Sequence, residues 1–168
     1  MTYIDKSELF QEIESKLIEN GFKIESTDQN RPWGGFFVIN EDQAQEFANS
    51  YFEGLDVQDL KISGKLSPKV LVVGPNKRLS WQYHHRRAEI WRVIRGEVGV
   101  VTSPTDEEHE LKILKEGETI RLIQGERHRL VGLGTFGVVA EIWQHTDASN
   151  PSDENDIVRV QDDFGRGI

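Results

Sequence analysis

The stretch Leu79-Ser80-Trp81-Gln82-Tyr83-His84-His85-Arg86-Arg87-Ala88-Glu89-Ile90-Trp91 reads as two short strands meeting at a polar turn. Side chains two apart on a strand share a face, so Gln82 and His84 can aim an amide oxygen and an imidazole nitrogen at one point, while His85 points away from it. Glu89 can reach the same point from the next strand. Far downstream, His128 follows the turn-former Gly125 and opens another strand, which makes it the candidate fourth ligand, arriving from across a barrel. The set Gln82, His84, Glu89 and His128 offers two nitrogens and two oxygens. One carboxylate with three neutral ligands leaves a divalent cation net positive and able to keep open positions, as a catalytic metal requires.

On either side of this stretch the texture is β. From about residue 67 onward, runs rich in Val, Ile, Leu, Trp and Thr alternate with Gly, Pro, Asn and acidic clusters. Strands are predicted at Val70 to Val73, Leu79 to Tyr83, Glu89 to Ile94, Val98 to Thr102, Leu111 to Leu114, Thr119 to Leu122, Arg129 to Val131 and Val138 to His145, a number that suits a jelly-roll barrel. Residues 103–110 and 147–155 have the composition of surface connections. The N-terminal part is different. Asp5 with Glu8 forms a capping-box pattern ahead of Leu9, Phe10, Ile13 and Leu17, and Gly21 supplies a stop, which predicts a helix near residues 6–20. A second helix is predicted after Asn40, where Ala44, Phe47, Ala48, Tyr51, Phe52 and Leu55 recur at helical steps. Both stripes are core-packing patterns and receive no chemistry.

With 168 residues the chain is expected to form one domain, a helical extension over 1–60 packed on a barrel over 61–168. The absence of cysteine excludes disulfides and thiolate metal sites. No apolar run reaches the roughly 20 residues that span a bilayer, and the opening residues lack the order of a secretory signal, so the expected location is the cytoplasm. A net charge of −9 argues against nucleic acid and anionic membrane as partners. Against that background Lys77, Arg78, Arg86, Arg87, Arg92 and Arg95 face Glu89 alone, an island of positive charge able to attract a small anion.

These spacings resemble the cupin family. Its first motif appears here as Gln82-x-His84, four residues, Glu89, six residues and Gly96, and its second as Gly117, Ile123-x-Gly125, His128 and Gly132, with Ile123 and Gly132 standing where the family has Pro and Asn. The segment from Leu79 to Trp91, the block Arg31-Pro32-Trp33-Gly34, the block Glu154-x-Asp156-Ile157-Val158-Arg159 and the block Asp162-x-Phe164-Gly165-Arg166 are together similar to the type II phosphomannose isomerases over roughly residues 31–166. Arg86 and Ile90 occupy positions where that family usually shows His.

The resemblance implies a mainly β cupin, a double-stranded β-helix, with an added helical N-terminus. It implies one divalent metal, zinc foremost with cobalt, manganese, nickel or iron as alternatives. It further implies interconversion of mannose 6-phosphate and fructose 6-phosphate through an enediol-type intermediate. Arg87 carries over as the catalytic arginine, holding an oxyanion or the phosphate through its planar fork. Arg159 and Arg166 are the candidate phosphate-binding residues, and the partner is a small sugar phosphate. The family often carries a nucleotidyltransferase domain; no nucleotide loop is found here, so this chain is expected to work alone, as a homodimer by analogy. The contrasting expectations are a non-catalytic cupin that binds a metal or sugar, and an isomerase for a different sugar or sugar phosphate.

Overall fold

Helix α1, Lys6–Glu19, begins where the Asp5 carboxylate accepts a 2.8 Å hydrogen bond from the backbone of Glu8, and ends where Gly21 turns the chain at φ 90°. The computed structural model describes residues 5–60 and 64–166. The buried stripe of α1 is Leu9, Phe10, Ile13 and Leu17, as predicted. After it, β1 (Ile24–Arg31) and β2 (Gly34–Ile39) form an antiparallel hairpin, a 3-10 turn over Glu41–Gln43 is capped by Asn40, and α2 follows at Ala44–Tyr51. The second predicted helix is therefore shorter than its apolar stripe. Phe52 leaves helical geometry at φ −130° and ψ 66°, and Gly54 reverses the chain at φ 84° before Leu55.

Nine further strands follow: β3 (Lys69–Val73), β4 (Trp81–Tyr83), β5 (Arg87–Arg95), β6 (Glu97–Ser103), β7 (Lys112–Lys115), β8 (Thr119–Leu122), β9 (Arg127–Gly132), β10 (Gly137–His145) and β11 (Val158–Gln161). They pair antiparallel into a six-stranded sheet, β1-β2-β3-β10-β5-β8, and a five-stranded sheet, β11-β4-β9-β6-β7, the two sheets of a jelly roll. Every predicted strand is present. Three that were not predicted, β1, β2 and β11, extend the sheets at their edges. Because β2 pairs with β3, residues 24–39 of the expected helical extension belong to the barrel wall itself, and the expected boundary at residue 61 falls on residues outside those described.

Alternation along the strands sorts the core into two layers. From the six-stranded sheet, Phe37, Ile39, Val70, Val72, Val138, Ala140 and Ile142 point outward and pack under α1 and α2 with Leu9, Phe10, Phe47 and Ala48. Leu71, Val73, Trp91, Val93 and Val139 point inward and meet Val98, Val100 and Leu130 of the facing sheet. The helices thus shield one sheet face that would otherwise be wet. Gly132 is demanded by space rather than by conformation: a Cβ there would stand 1.8 Å from the carbonyl oxygen of Gly74, where the 74–77 turn crosses β9.

Candidate metal centre

The apolar interior gives way to polar side chains at one end of the barrel, and the wall residues there are set by the same alternation. Arg87, Glu89 and Trp91 are every second residue of β5 and face inward. Gln82 of β4 is the register partner of His128 on β9, so these two side chains lie on the inner face of the opposite sheet, and His84 follows just beyond the end of β4. His84, Glu89 and His128 are 2%, 2% and 1% exposed, and one ligand atom from each lies within 4.8 Å of the others. His84 Nε2 is 3.4 Å from Glu89 Oε2, and His128 Nε2 is 3.3 Å from Glu89 Oε1.

The tautomers follow from the partners. His84 Nδ1 lies 2.6 Å from the backbone carbonyl of Asp156 and His128 Nδ1 3.2 Å from that of Glu126. A carbonyl only accepts, so each Nδ1 carries the proton and each Nε2 presents a lone pair to Glu89. His128 Nε2 and Glu89 Oε1 have no hydrogen-bond partner although both are buried. Two acceptors facing each other at 3.3 Å in a dry interior repel unless a proton or a cation lies between them, and the donor set of two imidazoles and a carboxylate fits a divalent metal. Burial lowers the His84 ring to about 4, despite the opposing pull of Glu89, which keeps it neutral and able to ligate at neutral pH. Burial by itself would raise the Glu89 carboxyl, yet its cationic and hydrogen-bonding neighbours hold it well below the ordinary value. With His84 neutral, the permanent positive charge among them is Arg87, whose Nε donates to Glu89 Oε2 at 3.0 Å.

Arg87 is itself 6% exposed and spends its fork on several partners. Nη1 donates to Ser152 Oγ and to the carbonyl of Asp153, both at 2.9 Å, and Nη2 approaches His84 Nε2 at 3.4 Å. Its guanidinium stacks 3.8 Å above the Trp143 ring. Deeper in the wall, Glu141 accepts from the indoles of Trp91 at 2.9 Å and Trp143 at 3.2 Å. Burial first, and then the negative charge of Glu89, raise this carboxyl to about 7.

The other residues singled out from sequence are distributed as follows. Gln82 lies beside His128, and its Oε1 accepts a 2.8 Å hydrogen bond from Ser80. Arg159 is the register partner of Gln82 on β11, which places it on the same inner face, and its Nε is buried without a partner. Arg166 forks onto Asp162 at 2.7 and 3.1 Å. His85 is exposed with its ring against Tyr83, His109 is exposed in its loop, and both nitrogens of His145 are taken by Lys65 and Ser152 backbone groups. Trp91 is buried edge-on to His128. Trp33 is likewise buried, and its indole nitrogen has no hydrogen-bond partner. Sequence reasoning assigned nothing to Ser152, Asp156, Glu141 or Trp143. The motif containing Asp156 was the available signal for one of them; the others carry no local pattern.

Comparison with known proteins was consistent with this geometry. Residues 54–162 match the family described as "Mannose-6-phosphate isomerase C-terminal". Xanthan biosynthesis protein XanB of Xanthomonas campestris pv. campestris is 30% identical over 136 residues, covering 81% of this chain and 23% of XanB. Mannose-1-phosphate guanylyltransferase ManC of Salmonella typhimurium is 33% identical over 99 residues, covering 58% of this chain and 19% of ManC. The chain therefore spans about a fifth of the length of these relatives. Among solved structures, the capsular polysaccharide assembling protein CapF from Staphylococcus aureus superposes with a TM-score of 0.51 at 15% identity over 82% of this chain and 34% of CapF. Vicilin from tomato does so with a TM-score of 0.52 at 14% identity over 79% of this chain and 32% of vicilin. Likeness at such identity speaks for the fold alone. No helix among the described residues is long and apolar enough to cross a membrane.

Proposed function

Because this chain belongs to the mannose-6-phosphate isomerase C-terminal family, we propose that it is a metal-dependent aldose–ketose isomerase that interconverts mannose 6-phosphate and fructose 6-phosphate. The observation that carries this reading is the pair of buried, unpartnered acceptors, His128 Nε2 and Glu89 Oε1, set 3.3 Å apart beside a permanently charged arginine. His84, Glu89 and His128 would hold the metal, with Gln82 as a fourth ligand through its remaining lone pair. A bound divalent ion supplies positive charge next to the substrate oxygens at C1 and C2.

Moving a proton between C1 and C2 builds negative charge on those oxygens, and Arg87 would hold it through Nη2, the arm left over once Nε and Nη1 have fixed the guanidinium on Glu89, Ser152 and Asp153. Trp143 beneath the guanidinium and Trp91 beside His128 set apolar ring surface against these groups. Arg159 stands two strands from His128 along one row of register partners, about 10 Å at the usual strand spacing. That separation suits an extended six-carbon sugar with its phosphate on Arg159 and its carbonyl end beside His128. Arg166 would join the phosphate by sharing its fork with Asp162.

The test is a coupled assay for fructose 6-phosphate formation from mannose 6-phosphate with added zinc, cobalt, manganese or nickel, repeated on Arg87→Ala and His128→Ala. Metal-dependent turnover abolished by both substitutions supports the isomerase. A second reading, a non-catalytic metal- or sugar-binding cupin, is favoured by one observation, that Arg87 is buried and its Nη1 is spent on residues 152–153. Metal binding without turnover on this or other sugar phosphates would select it.

A further inference from the structure

Between the last strand of the barrel wall and β11 the chain crosses back over the polar end, and three residues of this crossing, Ser152, Asp153 and Asp156, are tied to the candidate metal centre. Asp156 is 4% exposed and grips the 84–86 turn with two different groups. Its carboxylate oxygens accept from the backbone N–H of His85 and of Arg86, each at 2.9 Å, and its own backbone carbonyl takes the Nδ1 proton of His84 at 2.6 Å. The side chain fixes where the turn sits, and the carbonyl fixes which way the ring of that turn faces and which nitrogen is left bare.

Ser152 completes the connection. Its hydroxyl donates to Asp156 Oδ2 at 2.7 Å and accepts from Arg87 Nη1 at 2.9 Å, while its backbone N–H is held by His145 Nδ1. Asn155, by contrast, bonds within the crossing, to Asp153. We propose that Asp156, acting through Ser152 on one side and through its own carbonyl on the other, is the positioning residue that presets the His84 ring for a divalent metal and aligns Arg87 beside it. The proposal rests on the metal-binding reading of His84, Glu89 and His128. A ligand held in its tautomer and orientation binds without first losing that freedom, and removal of such an outer partner costs about 10- to 100-fold in metal affinity.

The experiment is cobalt binding to the full chain, measured by competition with a chromogenic chelator and by the visible spectrum of the cobalt-loaded protein, for the wild type, Asp156→Ala, Asp156→Asn, Ser152→Ala and Asp163→Asn. Asp163 pairs with Arg78 in the same C-terminal segment but touches none of the centre, so its variant reports general loosening of the tail. The expected result is a loss of about 10- to 100-fold in cobalt affinity for Asp156→Ala with an altered spectrum at saturation, and a smaller loss for Ser152→Ala. Asp156→Asn, which keeps one acceptor oxygen, recovers part of the affinity, and Asp163→Asn stays within a factor of about two of the wild type. Wild-type affinity and spectrum in Asp156→Ala, or an equal loss in Asp163→Asn, would overturn the positioning role. If Asp156→Ala does not fold, Ser152→Ala decides, and unchanged affinity and spectrum there overturn it. Failure of the wild type itself to bind cobalt would overturn the metal reading beneath it.

Discussion

Replacing Glu141 by Gln should change the pH dependence of stability in a way that isolates one buried carboxyl. Glu141 has an ordinary value of 4.5 and is raised to about 7 in the folded barrel by burial and by the charge of Glu89. Between those two values the native protein keeps a proton that the unfolded chain has released. The native state then binds more protons, so stability falls as pH rises through this window, by about 3 kcal/mol in all. His84 runs the other way: its folded value of about 4 lies below the ordinary 6.5, so stability is lost as pH falls from 6.5 towards 4. That contribution is common to both proteins and cancels in the difference between wild type and variant. The Glu141→Gln substitution would also leave one of the two indole N–H groups facing an amide NH2, at a cost of about 1–3 kcal/mol independent of pH. The wild type is therefore expected to be the more stable protein near pH 5 and to lose that advantage by pH 8. Urea melts of both proteins with a chelator present, taken at matched ionic strength from pH 5 to pH 8.5, measure the difference directly. A difference that does not vary with pH would refute the raised value of the Glu141 carboxyl.

Three other substitutions have outcomes set by the structure. Arg87→Ala leaves the Glu89 carboxylate buried without its ion-pair partner and should cost about 3–5 kcal/mol in the metal-free protein, read by chemical denaturation. On the proposed isomerase reading, which puts Arg159 at the phosphate end of the substrate and remote from the reacting carbons, Arg159→Ala should raise the KM for the sugar phosphate by about tenfold or more while kcat stays within a factor of about three; steady-state kinetics separate the two. Gly132→Ala places a methyl 1.8 Å from a backbone oxygen that the 74–77 turn holds in place, and should destabilise the chain by about 3 kcal/mol or more, seen as a lowered Tm without a change in metal stoichiometry.

What could be read in the sequence depended on whether the deciding contact was local. Period-two spacing put His84 on the inner face and sent His85 to the surface, and the polar turn before β5 brought Glu89 back, so the approach of His84 to Glu89 seen in the barrel was visible in a dozen residues. His128 joined them because a turn glycine announced its strand. The strands that escaped notice lacked such a signal. β1, Ile24 to Arg31, is a mostly exposed edge strand of polar residues, and its side chains report no buried face. β2 opens on two glycines and then runs Phe36, Phe37, Val38 and Ile39 with no polar alternation, because Phe37 and Ile39 lie under the helices while Phe36 packs against the barrel interior. β11 is half-buried at every position. The same reasoning explains the site. The partners of Arg87 and His84 in the 152–156 crossing lie 65 to 72 residues away, and no periodicity within the crossing marks which of its polar groups will face inward. Its Ser, Asn, Pro and Asp composition correctly indicates a connection, yet the backbone carbonyl of Asp156, which every residue type possesses, is what selects the His84 tautomer. Chemistry of that kind is written in the path of the chain, and a side-chain pattern can point to it only through the carboxylate that anchors the path.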